Sequence, residues 1–265
     1  MVCLARAFFK LLVMIYFVHC YVKEKEYRAL EVIEESMLQK CFKTLRSCSK
    51  HLLYLEAGII PARYQIHRQM LNYLQYILLQ PSNSLLARVF VAQQNAPTNG
   101  DWVSNITQLL TDYNIKITFL EVKNMNQGLY KNLVKQKVHD KAFEDLIYKK
   151  NMGQKGRNIK YEKLEMAHYL LSKSKNSVQE KLEIFAYRCE MNILPFNFGN
   201  KTNCEQGCPT EMNNEHLLNC PKLNNHKEIT DLNLILNGTN IEKLNTLKKL
   251  NKNSTTRTQL LMDSV

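Results

Sequence analysis

The sequence predicts a mostly α-helical fold, an irregular helical bundle followed by a small unit organised by cysteine and histidine. The 265 residues include eight glycines and six prolines, fewer than the frequent turns of a β-sandwich or barrel require. Apolar residues recur at the three- and four-residue spacing of helices through most of the chain. Three cysteines and one histidine then lie close together between positions 204 and 220.

Helical spacing and helix-boundary residues define the first part of the bundle. Residues 24–57 are predicted to form one helix or two, and Gly58 provides a C-terminal stop. Pro61 suits the first turn of the next helix, where its missing N–H leaves no bond unmade. That helix extends to the break at 81–83, and a shorter helix is predicted over 84–95.

The second part of the bundle begins at Asp101, which is predicted to cap a helix starting with Trp102. Residues 115–122 alternate weakly and favour either one strand or a lead-in to the next helix. The long helix predicted over 126–150 carries an apolar face of Leu129, Leu133, Val134, Val138, Ala142, Phe143 and Leu146. Further helices are predicted at 161–171, 177–192, 225–236 and 239–251.

The net charge of +12 favours a polyanionic partner, either nucleic acid or an anionic membrane surface. Residues 121–188 hold fifteen Lys and Arg against eight Asp and Glu, whereas residues 201–265 hold eight against seven. We therefore expect phosphate contacts upstream of the cysteines. The alternative is a solvated helix face without a ligand. The candidate nucleic-acid-binding residues are Lys131, Lys135, Lys137, Lys141, Lys149, Lys150, Lys155 and Arg157.

The cluster Cys204, Cys208, His216 and Cys220 has the spacing C-x3-C-x7-H-x3-C. Thiolate and imidazole ligands in two close pairs complete a tetrahedron around Zn²⁺, and four protein ligands leave no position for water. His216 and Cys220 are one helical turn apart, so both project from the same side of a short helix. The cluster therefore predicts one structural Zn²⁺ in a CCHC knuckle. The alternative is a chance arrangement in a chain with eight cysteines and seven histidines.

The remaining five cysteines are scattered through apolar or helical stretches, which is not the pattern of a disulfide scaffold. A reducing, intracellular compartment, nucleus or cytoplasm, fits this usage. Residues 1–22 complicate the prediction, because two basic residues precede a 12-residue apolar run as in a secretory signal. That run is short for a transmembrane span. The alternatives are a signal or membrane anchor, a buried helix, or a foreign coding segment.

No catalytic constellation is found, so we expect no enzymatic activity and no small-molecule substrate. The sequence has no phosphate-binding glycine loop of either common type and no HExxH helix. The carboxylate pairs Glu34-Glu35 and Glu144-Asp145 are interpreted as helix surface. A set of four tyrosines is interpreted chiefly as core packing, with base stacking as the alternative. These are Tyr54, Tyr64, Tyr73 and Tyr76.

Several segments together resemble the region downstream of the polymerase core in non-LTR retrotransposon reverse transcriptases. Residues 53–64, LYLEAGIIPARY, are similar to its LYLE-G-hydrophobic-P-x-R segment, and residues 92–103 to its AQ…NPTKGDW segment. Residues 131–138 resemble its basic helix. Residues 196–201, NFGNK with a preceding Phe, and the EHLLNC segment ending at Cys220 resemble its zinc knuckle. The resemblance covers about residues 25–262.

The chain is predicted to have four parts, and the resemblance, which leaves out residues 1–22, implies a binding role. These parts are an apolar segment at 1–22, a helical thumb-and-linker domain at 23–195, the zinc unit at 196–224, and short C-terminal helices with a tail at 225–265. The family acts in target-primed reverse transcription, but the polymerase palm and its Y/F-x-D-D strand are missing here. Only nucleic-acid binding is therefore carried over. A helical scaffold protein and a secreted or membrane-anchored protein are the alternatives.

Overall fold

The computed structural model describes residues 23–42, 44, 48–98, 100–153 and 159–171, with 177, 178, 181, 182, 185 and 209 as isolated positions. Among these residues, seven α-helices account for 72% and no strand occurs, which confirms the mostly α-helical prediction. The helices are α1 Glu24–Phe42, α2 Lys50–Ala57, α3 Ala62–Leu78, α4 Leu85–Asn95, α5 Trp102–Asp112, α6 Phe119–Asn124 and α7 Gln127–Met152. The predicted zinc ligands, residues 1–22 and the predicted helices after position 224 lie outside the described part.

The helix boundaries follow local chemistry that the sequence displays. Gly58 ends α2 in the left-handed conformation at φ +60°, and its N–H and that of Ile59 bond to carbonyls of the last turn. The Asp101 carboxylate accepts from the Ser104 N–H at 2.7 Å, so α5 begins at Trp102 as predicted. The stretch predicted as one helix or two, 24–57, is two helices.

Helix α3 lies at the centre of the bundle and packs against α1, α4, α5, α6 and α7. Two polar groups on its buried side bond to neighbouring helices. The Gln75 side chain donates to the carbonyls of Val122 and Met125 at 3.0 and 2.9 Å, and the Tyr130 hydroxyl donates to the Leu71 carbonyl at 2.8 Å. The apolar residues that α3 contributes to the core are Ala62, Tyr64, Ile66, Met70, Leu71, Leu74 and Ile77.

Helix α7 contacts the core through residues that recur every four positions. We call this row the α7 stripe; its buried members are Tyr130, Val134, Val138, Ala142, Leu146 and Lys150. The predicted inward position of Leu129 is wrong, because its side chain is 65% exposed. The Tyr130 hydroxyl bonds to α3, and this contact turns Tyr130 inward in place of its neighbour.

Residues 115–122 contain no strand. Residues 115–118 are irregular, and α6 begins at Phe119. A capping box explains the helix start, because the Thr118 hydroxyl accepts from the Glu121 N–H while the Glu121 carboxylate accepts from the Thr118 N–H. The lead-in interpretation of this segment is therefore correct and the strand interpretation is wrong.

Glu34 of α1 is buried, which contradicts its interpretation as helix surface. Its side chain is enclosed where α1, α2 and α3 meet. The carboxylate accepts from the Tyr54 hydroxyl at 2.9 Å, from the Ala62 N–H at 2.8 Å and from the Gln65 amide at 3.0 Å. Burial raises the pKa of Glu34 to about 7, and the hydrogen bonds from Tyr54 and Ala62 oppose that rise. One carboxyl group thus joins three helices.

A second buried carboxylate, Glu56 of α2, draws in the segment that follows α7. The hydroxyls of Tyr161 and Tyr169 both donate to it, the latter at 2.7 Å. The predicted helix at 161–171 is wrong, since only the 3₁₀ turn His168–Leu170 is helical there. In an α-helix these two tyrosines, eight positions apart, would be separated by about 12 Å along the axis. Here both hydroxyls reach the same carboxylate, which an irregular backbone allows.

Within the described residues, no helix is both long and apolar enough to cross a membrane. The apolar segment predicted to be a signal or anchor, residues 1–22, lies outside them.

The buried carboxyl of Glu34 predicts a pH-dependent stability. The folded state keeps its proton up to about pH 7, whereas the unfolded chain loses it near pH 4.5. The contribution of protonated Glu34 to the free energy of unfolding is therefore fully present below about pH 4.5. It is lost as the pH rises to about 7. A shift of this size corresponds to about 3 kcal/mol. We expect Glu34→Gln to flatten the fall in unfolding free energy across this range, measured by urea denaturation.

The comparison of Glu34→Gln with the parent separates the effect of Glu34 on stability from the effects of two buried histidines. Burial lowers the pKa of His51 and His67 to about 4, so their effect on stability runs in the opposite direction over this range. Glu144→Gln, on the exposed face of α7, is the control. Parallel curves for the parent and Glu34→Gln would contradict the prediction.

The backbone of residues 165–166 lies directly against Gly58, so adding a single methyl group there is predicted to lower stability strongly. A Cβ at this position would lie 2.0 Å from the Met166 backbone nitrogen and 2.3 Å from the Glu165 carbonyl carbon. Gly58→Ala adds this backbone clash to left-handed strain, so we expect a loss of about 2–4 kcal/mol in denaturation experiments. Gly100→Ala tests strain alone, because φ is +91° and nothing lies within 4 Å. Equal losses in both variants would refute the contact.

Candidate nucleic-acid interface

The predicted basic residues of α7 lie on two flanks of the α7 stripe. Lys131 and Lys135 each follow a stripe residue by one position, whereas Lys137, Lys141 and Lys149 each precede one. Residues at four-residue spacing form a row along a helix, so the two sets are separate rows with the buried stripe between them. The structure therefore does not bring all the predicted lysines onto one face.

Three of these lysines are exposed, Lys131, Lys135 and Lys149, and Lys137 is half-buried. Lys131 and Lys135 occupy consecutive turns, about 6 Å apart along the helix axis. Two adjacent ammonium groups on a rigid helix suit contact with successive phosphates. Lys155 and Arg157, the remaining predicted residues, lie outside the described part of the chain.

Two predicted lysines have partners inside the protein. Lys141 forms an ion pair with Asp145 at 3.0 Å, and that carboxylate raises the pKa of Lys141. Lys150 is only 5% exposed, and its ammonium donates to the Ile159 carbonyl at 2.5 Å beneath the ring of Tyr161. Burial lowers the pKa of Lys150. Lys150 thus connects α7 to the following segment and presents little charge to an external phosphate.

A groove of about 730 Å³ lies beside the second lysine row, between α7 and helices α1, α2, α3 and α5. Its bases are Arg28, Lys50, Arg63, Lys141 and Lys149, and its acids are Glu24, Glu31, Glu35, Asp112 and Asp145. Bases and acids are thus equal in number. A phosphate entering the groove would meet carboxylates as well as cations, so the groove is a weaker candidate for phosphate contact than Lys131 and Lys135.

The charges in the groove are largely paired with one another. The Arg63 guanidinium bonds to Glu24 at 2.8 Å and to Glu31 at 3.1 Å. The Tyr64 hydroxyl donates to the Asp145 carboxylate at 2.5 Å. These bonds connect α1, α3 and α7 across the opening, so much of the polar lining has a structural role.

The two histidines of the groove are uncharged at neutral pH. Burial is the main cause that lowers the pKa of His67 to about 4, and the charge of Arg63 adds to it. His51 reaches a similar pKa through burial and the nearby charges of Lys149 and Lys50. The His67 ring shares a 2.6 Å hydrogen bond with the Tyr113 hydroxyl. At neutral pH, therefore, neither His51 nor His67 adds positive charge to the groove.

The four tyrosines singled out in the sequence separate in the structure. Tyr54 and Tyr64 are buried, as core packing predicts. Tyr73 is half-buried and Tyr76 is mostly exposed, although both belong to the same helix. Sequence spacing did not distinguish Tyr54 and Tyr64 from Tyr73 and Tyr76. Spacing shows which residues share a helix, but it does not show which side of the helix is covered by neighbouring helices.

The predicted zinc ligands Cys204, Cys208, His216 and Cys220 lie outside the described residues. In the part of the chain that the structure does describe, no three His, Cys, Asp or Glu side chains are grouped so as to hold a metal ion. Cys41 and Cys48 are free thiols.

Comparisons with models of known protein families, with curated proteins and with solved structures found no match for this chain.

Proposed function

We propose that this chain binds nucleic acid through the exposed lysines of α7 and has no catalytic activity of its own. The observation that carries the proposal is the pair Lys131 and Lys135, exposed on consecutive turns of a 26-residue helix. The charge of +12 supports it, because the phosphate backbone attracts such an excess at long range. Contact of this kind follows the backbone and does not read the base sequence.

The resemblance to the region downstream of a non-LTR reverse transcriptase core gives this binding a context. We propose a thumb-and-linker module that holds RNA or DNA for a polymerase, in the nucleus or cytoplasm. The segments that carry the resemblance include LYLEAGIIPARY, where Gly58 and Pro61 form the turn between α2 and α3. They also include KNLVKQKV, which holds Lys131 and Lys135.

The cluster of Cys204, Cys208, His216 and Cys220 is proposed to hold one structural Zn²⁺. Its support is the ligand types and their spacing. A bound Zn²⁺ would supply folding free energy to a segment too short to build an apolar core. These four residues would serve as ligands and none would serve in catalysis.

A scaffold role is the second candidate, and exposed apolar residues on α4 favour it. Leu85 is 76% exposed, and Val89 follows it one turn later in the same row. A protein contact would depend on such residues, whereas nucleic-acid binding depends on charge. The two candidates therefore differ in their salt dependence.

The binding proposal predicts a change in the salt dependence of affinity. We expect the parent chain to bind oligonucleotides more weakly as salt rises, in a log–log plot measured by fluorescence anisotropy. Lys131→Gln with Lys135→Gln removes two phosphate contacts, so the slope should fall by about 1.5–2 in magnitude.

Two lysines at the start of α1 provide the matched control. Lys23, which precedes the helix, and Lys25 in its first turn are exposed like Lys131 and Lys135 but lie away from α7. The double substitution Lys23→Gln with Lys25→Gln makes the same change in net charge, so we expect the parent slope to be retained. Equal effects of the two double variants would show that only the total charge matters and would contradict the assignment to α7.

The zinc proposal predicts about one Zn²⁺ per purified chain, measured by elemental analysis. Cys204→Ser and Cys220→Ser each remove one ligand, so we expect zinc to be lost from both. Cys41→Ser changes a free thiol of α1 and should leave the zinc content unchanged. Full zinc in the two knuckle variants would refute the ligand assignment.

A further inference from the structure

Two tyrosine rings of α3 are stacked at the edge of the bundle core, where Tyr73 packs against the core and Tyr76 reaches solvent. The ring centroids of Tyr73 and Tyr76 are 5.5 Å apart, and the ring planes differ by 18°. Tyr76 is 52% exposed, in contrast to Tyr54, Tyr64 and Tyr113, which are buried. The outer residue of the stack is therefore about half exposed to solvent.

The stack is held from beneath by further aromatic residues. The Trp102 ring meets Tyr73 edge to face at 5.9 Å and 89°. Phe90, which is buried, contacts Trp102 at 6.5 Å and Phe119 at 5.4 Å. Because α4, α5 and α6 each contribute one of these rings, the orientation of Tyr73 is set by packing. A rigid surface of this kind loses little entropy when a ligand stacks on it.

Polar atoms with unmet hydrogen bonds accompany the stack. Among the described residues, two buried side-chain atoms have no hydrogen-bond partner. They are the side-chain amide oxygen of Asn72 and the indole N–H of Trp102. Arg68, Asn72 and Tyr76 follow one another at four-residue spacing, so they form one row along α3. Asn72 and Tyr76 therefore lie on consecutive turns of α3.

We propose that Tyr76 and Tyr73 form a stacking platform for an unpaired base of single-stranded RNA or DNA. The inference rests on the proposed nucleic-acid binding and names the class of ligand. An unpaired base has an open aromatic face, whereas both faces of a base in a duplex are covered by its neighbours. Tyr76, half exposed and supported by Tyr73, provides the ring on which such a base would stack.

The test compares single-stranded and duplex oligonucleotides of one mixed sequence, about 16 nucleotides long, by fluorescence anisotropy with the full chain. Tyr76→Ala removes the outer ring, and Tyr76→Phe keeps it. Tyr148→Ala is the matched control, because Tyr148 is an exposed tyrosine of α7 at 64%. Circular dichroism shows whether each variant retains the helix content of the parent.

We expect Tyr76→Ala to bind the single strand about tenfold more weakly and the duplex within about twofold of the parent. Tyr76→Phe and Tyr148→Ala should match the parent on both. Trp102 is the chain's single tryptophan, so its emission provides a second readout beside the platform. Its emission should change on single-strand binding in the parent and not in Tyr76→Ala.

Four results would overturn the platform. If Tyr76→Ala binds the single strand as tightly as the parent, the platform fails while the nucleic-acid function stands. An equal loss for single strand and duplex would refute the preference for unpaired bases. If Tyr76→Ala changes the oligomeric state of the chain but not its affinity for the single strand, Tyr76 belongs to a protein contact. A parent that binds neither oligonucleotide at low salt would refute the proposed function together with the platform.

Discussion

The enclosure of α3 by five other helices is the constraint on which the rest of the structure depends. A helix covered on most sides must bury polar groups as well as apolar ones, and each needs a partner. The amide NH2 group of Gln75 meets this need through two carbonyls near α6, and the Leu71 carbonyl meets it through the Tyr130 hydroxyl of α7. These bonds set how α6 and α7 lie against α3. The α7 stripe and the two lysine rows beside it follow from that placement.

Buried carboxylates at two places extend this arrangement over long distances in the sequence. Glu34 joins α1 to the start of α3 and to α2, and Glu56 holds two tyrosines that follow α7. Burying a carboxyl group is unfavourable unless donors surround it, so such a position specifies one arrangement of its neighbours. The close approach of residues 165–166 to Gly58 is a consequence of the Glu56 contacts. Polar groups therefore fix much of the tertiary structure that apolar packing alone leaves open.

Charge and aromatic surface are placed apart on this scaffold. The exposed pair Lys131 and Lys135 lies on α7, while the stacked tyrosines lie on α3, supported by Trp102 of α5. Phosphate contact and base stacking are separate contributions to single-strand binding, and a chain that runs over both surfaces would gain from each. The charge-balanced groove lies on the other flank of α7, where its ion pairs join α1 and α3. The charged residues that hold the bundle together in the groove are thus different from Lys131 and Lys135, which are proposed to bind nucleic acid.

The sequence by itself determined the helical class, the capped start at Asp101 and the stop at Gly58, because these depend on residues within one turn. It also supplied the cysteine and histidine spacing and the basic surplus on which the proposed function rests. Only the tertiary structure decided that Glu34 is buried, that Lys150 faces inward, that 161–171 is not an α-helix, and that Tyr76 is exposed while Tyr64 is not. The first three outcomes depend on partners 9 to 113 positions away, such as the Ile159 carbonyl for Lys150 and the Tyr169 hydroxyl for Glu56. Periodicity reports which residues share a helix, but the neighbours that cover one side of it are chosen by packing across the whole chain.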